Sequence, residues 1–125
     1  MYFELTSTDA AHLLRLCGGE PQNVLTRARV LALTECIESL AARTPARPLI
    51  IAGNQHFFSA GADLKEIAAL SGPEAYAFGA MGQRLMRAVA DFPAPTFAAV
   101  EGWCMGGGFD LALACQSRVC SAHAI

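Results

Sequence analysis

The stretch EGWCMGGGFDLALAC, Glu101 to Cys115, sets three consecutive glycines at the mouth of an otherwise apolar helix, with a carboxylate, Asp110, just inside it. Packing alone asks for neither feature. Glycine lets a backbone turn tightly and lets another group come close. A helix start leaves several N–H groups unpaired and carries a partial positive charge. A second corner of the same kind is FFSAGADL, Phe57 to Leu64. Two such corners facing one point would supply a pair of N–H donors for a developing oxyanion, and losing one donor of that kind costs about 3 kcal/mol of transition-state stabilisation. Asp110 stands roughly one turn beyond the central glycine. Its apolar neighbours Phe109, Leu111, Ala112 and Leu113 predict a partly desolvated carboxylate that titrates above an ordinary Asp and suits general acid or base work. A structural role stays open at this point: Asp110 neutralising the helix dipole, and Gly106 to Gly108 permitting close packing. A nucleotide-phosphate loop fails on spacing, because neither G-x-G-x-x-G nor a G-K-[ST] ending is present.

Working outward, MYFELT and HLLRL read as two short strands around the polar turn 7–11, and CGGEPQN reads as a loop. Thr26 caps a helix running to about Arg43, with Val30, Leu33, Ile37 and Leu40 as its apolar stripe. RPLIIAG is a continuous apolar strand of the kind buried on both faces in a parallel sheet. The loop NQHFFSAGAD and the short helical piece LKEIAAL follow. Ser71 and Glu74, spaced as a capping box around Pro73, open a long helix to about Asp91 with the stripe Phe78, Met81, Leu85 and Val89. APTFAAVEG is the next strand, then comes the glycine helix, and SRVCSA is expected as a last, buried strand. Alternating strands and helices define an α/β layered fold.

At 125 residues, 54% hydrophobic and 16% charged, the chain fits one folded domain with a modest core and an apolar excess that suggests surface meant for burial. A net charge of −2 leaves no footprint for nucleic acid or an anionic membrane. No apolar run reaches the length of a membrane span. The start, MYFELTSTDAAH, lacks the layout of a secretion signal. Five scattered cysteines read as free thiols of a reducing, cytoplasmic setting. Three dispersed histidines give no metal site.

Taken together, PQNVLT, FFSAGADLKEI and AAVEGWCMGGGFDLALAC occur in the order and at about the spacing of the enoyl-CoA hydratase/isomerase (crotonase) family, which the chain resembles over nearly its whole length. The resemblance implies a spiral of β-β-α units, with this chain (1–125) as the N-terminal part of such a domain. It implies an acyl-CoA thioester as ligand, its carbonyl held between the N–H groups of Ala62 and Gly107, and Asp110 as one of two acid/base groups. Backbone around Ala60, Ala62 and Leu64 would hold the adenine end, with Val24, Gly106 and Lys65 along the coenzyme A path. No separate cofactor is implied, since coenzyme A is part of the substrate, and the family assembles as trimers or hexamers. Hydratases usually carry Glu where Asp110 stands, while some dienoyl-CoA isomerases carry Asp, which favours isomerisation over simple hydration. Gln116 replaces an Asp common in the family. His56 and Glu66 receive no catalytic role. The family's second carboxylate and the helices covering its acyl pocket fall beyond residue 125. The expectation is therefore either a crotonase-type enzyme that needs further chain, or a non-catalytic acyl-CoA-binding or assembly module.

Overall fold

A computed structural model describes all residues, Met1–Ile125. Strands β1 (Phe3–Ser7) and β2 (His12–Leu16) form an antiparallel hairpin, with Phe3 opposite Leu16 and Ser7 opposite His12. Leu14 and Leu16 point inward and Arg15 outward, the period-two pattern of a half-buried strand. Helix α1 (Arg27–Ala41) begins at Thr26, whose hydroxyl accepts from the Arg29 N–H, and ends two residues short of Arg43. Val30, Leu33, Ile37 and Leu40 are all buried, so one helical stripe faces the sheet.

The next strand, β3 (Leu49–Ala52), lies parallel to β2. Beyond it β4 (Phe57–Ser59), α2 (Leu64–Ala68), α3 (Gly72–Ala90), β5 (Thr96–Val100), β6 (Trp103–Cys104), α4 (Gly107–Ala114) and β7 (Ser117–Cys120) follow in order. The main sheet runs β1-β2-β3-β5-β7, with every pair after the first hairpin parallel. The element order is thus three β-β-α units in succession, followed by β7.

Two expectations need correction. The corner expected as pure loop contains strand β4, which pairs in parallel with β6 to form a second, two-stranded sheet. Phe58 at its centre is wholly buried, and that burial holds three residues extended where no periodic pattern is long enough to announce it. Strand β7 is not buried: all four of its residues are exposed, because it lies at the edge of the sheet. Helix α3 carries the expected capping box, the Ser71 hydroxyl accepting from the Glu74 N–H and the Glu74 carboxylate accepting from the Ser71 N–H. Only its C-terminal half is anchored, through buried Leu85 and Val89; Phe78 and Met81 are half-buried.

Candidate active site

The two glycine corners meet. Gly61 follows β4 with φ +88, a conformation open to glycine and strained for other residues, and a Cβ there would stand 2.9 Å from both the Gly107 nitrogen and the Met105 oxygen. One residue into α4, a Cβ on Gly108 would lie 2.5 Å from the Ser59 oxygen. Small residues at these two points are what let the first turn of α4 rest directly on β4.

A hydrogen-bond web fixes the first corner. Buried Asn23, with φ +50, donates from Nδ2 to the carbonyls of Phe57 and Phe58, each at 3.2 Å. The Ser59 hydroxyl donates to the Asn23 carbonyl at 2.8 Å and accepts from the Gly61 N–H at 3.1 Å. The Gly61 carbonyl accepts from the Leu25 N–H at 2.7 Å. Because a trans peptide sets its C=O and N–H in opposite directions, tying that carbonyl to Leu25 turns the Ala62 N–H the other way. At the second corner the Gly106 carbonyl accepts from the Asp110 N–H at 3.1 Å, along α4, so the Gly107 N–H points back out of the helix mouth. Neither the Ala62 nor the Gly107 N–H has an acceptor within the chain.

Both residues line one cavity of about 590 Å³, together with Asp110 from α4, Leu25 from the loop before α1, Val30 from its first turn, and one face of α3 including Phe78, Gly79 and Gly82. That volume lies in the range of ordinary small-molecule sites. Asp110 is its only carboxylate.

The expected desolvation of Asp110 is not found. Its side chain is exposed, as are those of Phe109 and Leu113, while Leu111 and Ala112 point into the core. The apolar neighbours in sequence divide between two faces of the helix and do not enclose the carboxylate. Of the residues expected along the coenzyme A path, Ala62 lines the cavity; Val24, Ala60, Leu64, Lys65 and Gly106 lie outside its lining. Val24 and Ala60 are half-buried, the Ala60 N–H donating to the Gln22 carbonyl, whereas Leu64, Lys65 and Gly106 are exposed. Glu66 accepts from the Arg27 N–H at 2.7 Å, which ties α2 to the start of α1. His56 is exposed, and the Gln116 N–H donates to the Thr96 hydroxyl.

Two supports escaped sequence reasoning. Asn23 is one. Arg29, buried within α1, is the other: its guanidinium donates to the carbonyls of Val24, Cys17 and Gly18 and so holds the loop that delivers Asn23 and Leu25. The available signal was a charged residue four positions before Leu33, on the buried face of an amphipathic helix.

Comparison with known proteins identifies the family. The family model described as enoyl-CoA hydratase/isomerase matches residues 10–125. A probable enoyl-CoA hydratase of Bacillus subtilis (strain 168) is 39% identical over 105 residues, 83% of this chain and 41% of that protein. The human enoyl-CoA hydratase domain-containing protein 2, mitochondrial, is 40% identical over 105 residues, 83% of this chain and 36% of that one. Among solved structures, the enoyl-CoA hydratase from Bacillus anthracis superposes with a TM-score of 0.92 at 28% identity, over 99% of this chain and 49% of that chain. The fold is the crotonase fold, and the chain belongs to the enoyl-CoA hydratase/isomerase family. It spans about two fifths of the length of these curated relatives and about half of the solved chain. No helix is long and apolar enough to cross a membrane.

Proposed function

We propose that this chain binds an acyl-CoA thioester and carries the oxyanion-stabilising part of a crotonase-type enoyl-CoA hydratase/isomerase site. The thioester oxygen would accept from the N–H groups of Ala62 and Gly107. Removal of a proton from the carbon next to the carbonyl, or addition of water across the 2,3 double bond, drives electrons onto that oxygen. The two donors hold the resulting enolate, and its collapse protonates carbon and restores the carbonyl. Donors already aimed at the site of developing charge need no reorganisation, which is why such pairs lower barriers. Asp110 would move the proton, one methylene shorter than Glu and therefore nearer the substrate or linked to it by a water. The observation that carries this reading is the convergence of two unpaired N–H groups and one carboxylate on a single cavity.

A second reading, binding without turnover by these 125 residues alone, is favoured by the cavity's single carboxylate and by the exposure of Asp110. The family's coenzyme A path through Val24, Ala60, Leu64, Lys65 and Gly106, and assembly into trimers or hexamers, belong to the same proposal.

Calorimetric titration with acetoacetyl-CoA, whose enolate resembles the intermediate, tests it. Gly107→Pro removes one donor at a helix position where proline is accommodated. Saturable binding lost in that variant, with the fold retained, supports the oxyanion site. Equal affinity in both proteins would overturn it. Turnover of crotonyl-CoA that falls on Asp110→Asn separates catalysis from binding alone.

A further inference from the structure

At the opposite end of the sheet from the glycine corners lies a second polar cavity, of about 260 Å³, lined by His12, Arg43, Thr44, Pro45 and Arg47. His12 opens β2 and stands beside Leu49, the first residue of β3, whereas the candidate active site follows the other end of β3 and β5. His12 as a whole residue is 2% exposed. Its Nδ1 lies 2.7 Å from the Ser7 hydroxyl, and its Nε2 has no partner in the chain although the ring lines the cavity. In the tautomer in which Ser7 donates to Nδ1, Nε2 carries a proton directed at that space.

Two arginines share the wall. Neither forms an ion pair: the chain's one ion pair joins Arg84 to Glu38. Arg47 spends one N–H on the Thr8 carbonyl, at 3.0 Å, and the Arg43 side chain has no hydrogen bond. Burial, then Arg43 and Arg47, hold the His12 pKa below its ordinary value, and no carboxylate opposes them. Positive potential is therefore concentrated around a ring nitrogen that opens on the cavity and has no partner in the chain.

We propose that this pocket binds a phosphate-type oxyanion, either inorganic phosphate or the terminus of a phosphomonoester, with His12 Nε2–H and the guanidinium groups of Arg43 and Arg47 as its donors. In that tautomer an oxyanion matches all three, since each then offers N–H and none accepts. Planar guanidinium groups suit phosphate through paired hydrogen bonds. At roughly 30 Å³ for each water in the liquid, the space holds a tetrahedral anion with a few waters.

Nuclear magnetic resonance of the three histidine rings, with inorganic phosphate titrated into the whole chain, tests the site. His56 and His123 are exposed internal references. The expected result is a saturable shift of His12 alone, weakened roughly tenfold or more in an Arg43→Ala/Arg47→Ala protein whose amide spectrum shows the native fold. If the double variant fails to fold, Arg43→Gln, at an exposed position, must weaken the same shift by at least about threefold. Glycerol phosphate in place of phosphate decides between the sources: tighter binding assigns the site to a phosphomonoester, and weaker binding to the free ion. Equal, unsaturated shifts of all three rings, or an affinity unchanged by loss of the arginines, would overturn the proposal.

Discussion

Asn23 shows how much of the candidate site rests on one side chain outside the cavity. Its amide bridges two carbonyls of β4, its own carbonyl receives Ser59, and its backbone sits at φ +50, where Asn is better tolerated than most residues. Asn23→Ala removes the donor to a buried carbonyl and leaves a Cβ in a strained conformation, an expected loss of about 2–4 kcal/mol. Asn23→Gly removes the same donor without the strain, and should recover about 1 kcal/mol of that loss. Urea unfolding with an unchanged slope checks both, and Ala proving the milder change would refute the backbone part. PQNVLT is visible in the sequence, but the work of Asn23 is not, because its partners lie 34 and 35 residues away. Asp110 is the converse case: its place beside the glycine corner is legible, whereas its environment depends on which face of α4 each neighbour takes. Among the thiols, burial raises Cys115 to about 11, against a usual 9.0, with Arg118 and Thr96 opposing. The unfolded chain ionises that thiol first, so this group lowers stability as pH rises from about 9 towards 11. At about pH 8 iodoacetamide should label exposed Cys120 well before Cys115 in the native protein. Comparable labelling rates by mass spectrometry would contradict the buried placement.

Helix α3 joins stability to specificity. Its capping box secures an N-terminal half that is almost wholly exposed, so little packing helps to hold that half in place. Ser71→Ala should cost about 1 kcal/mol and speed amide exchange in the first turns while leaving the C-terminal half protected. Uniform acceleration along α3 would show that the helix opens as one unit. The same helix walls the candidate acyl cavity with Gly79 and Gly82, and a Cβ at either meets nothing within 4 Å. Gly82→Leu therefore starts from a Cβ in open space beside the cavity, and replacing a mid-helix glycine stabilises by about 0.5–1 kcal/mol. The expected outcome is a higher melting temperature together with weaker binding of long-chain acyl-CoA and little change for short-chain acyl-CoA. Unchanged long-chain affinity would place the acyl group elsewhere. At this scale the long helices and the main-sheet strands were legible from period and caps. The pair β4–β6 was not: strands of three and two residues have no period to read, and Phe57 pairs with Trp103, far along the chain.

Over the whole molecule, three β-β-α units bury a core of 18 residues between the sheet and its helices, yet one side stays apolar and open. Met105, Phe109 and Leu113 recur at four-residue spacing and keep 46%, 49% and 50% of their surface exposed. That spacing sets Phe109 and Leu113 on one face of α4, with Met105 just before the helix. Strand β7 adds Val119, 64% exposed, on a sheet edge where no further strand pairs. Apolar side chains grouped in this way beside an unpaired edge favour association, because covering them removes surface from water and a strand edge accepts another strand. Sedimentation velocity should therefore show concentration-dependent self-association of the 125-residue chain. A Phe109→Glu/Leu113→Glu protein should keep the same far-ultraviolet circular dichroism, since both side chains already face solvent. Its dissociation constant should rise by about tenfold or more, the usual effect of losing central apolar contacts. Retained association in the double variant would move the contact to the β7 edge, where Val119→Lys is the corresponding change. A monomer at every concentration would mean that half-exposed side chains on α4 are too dispersed to bury one another.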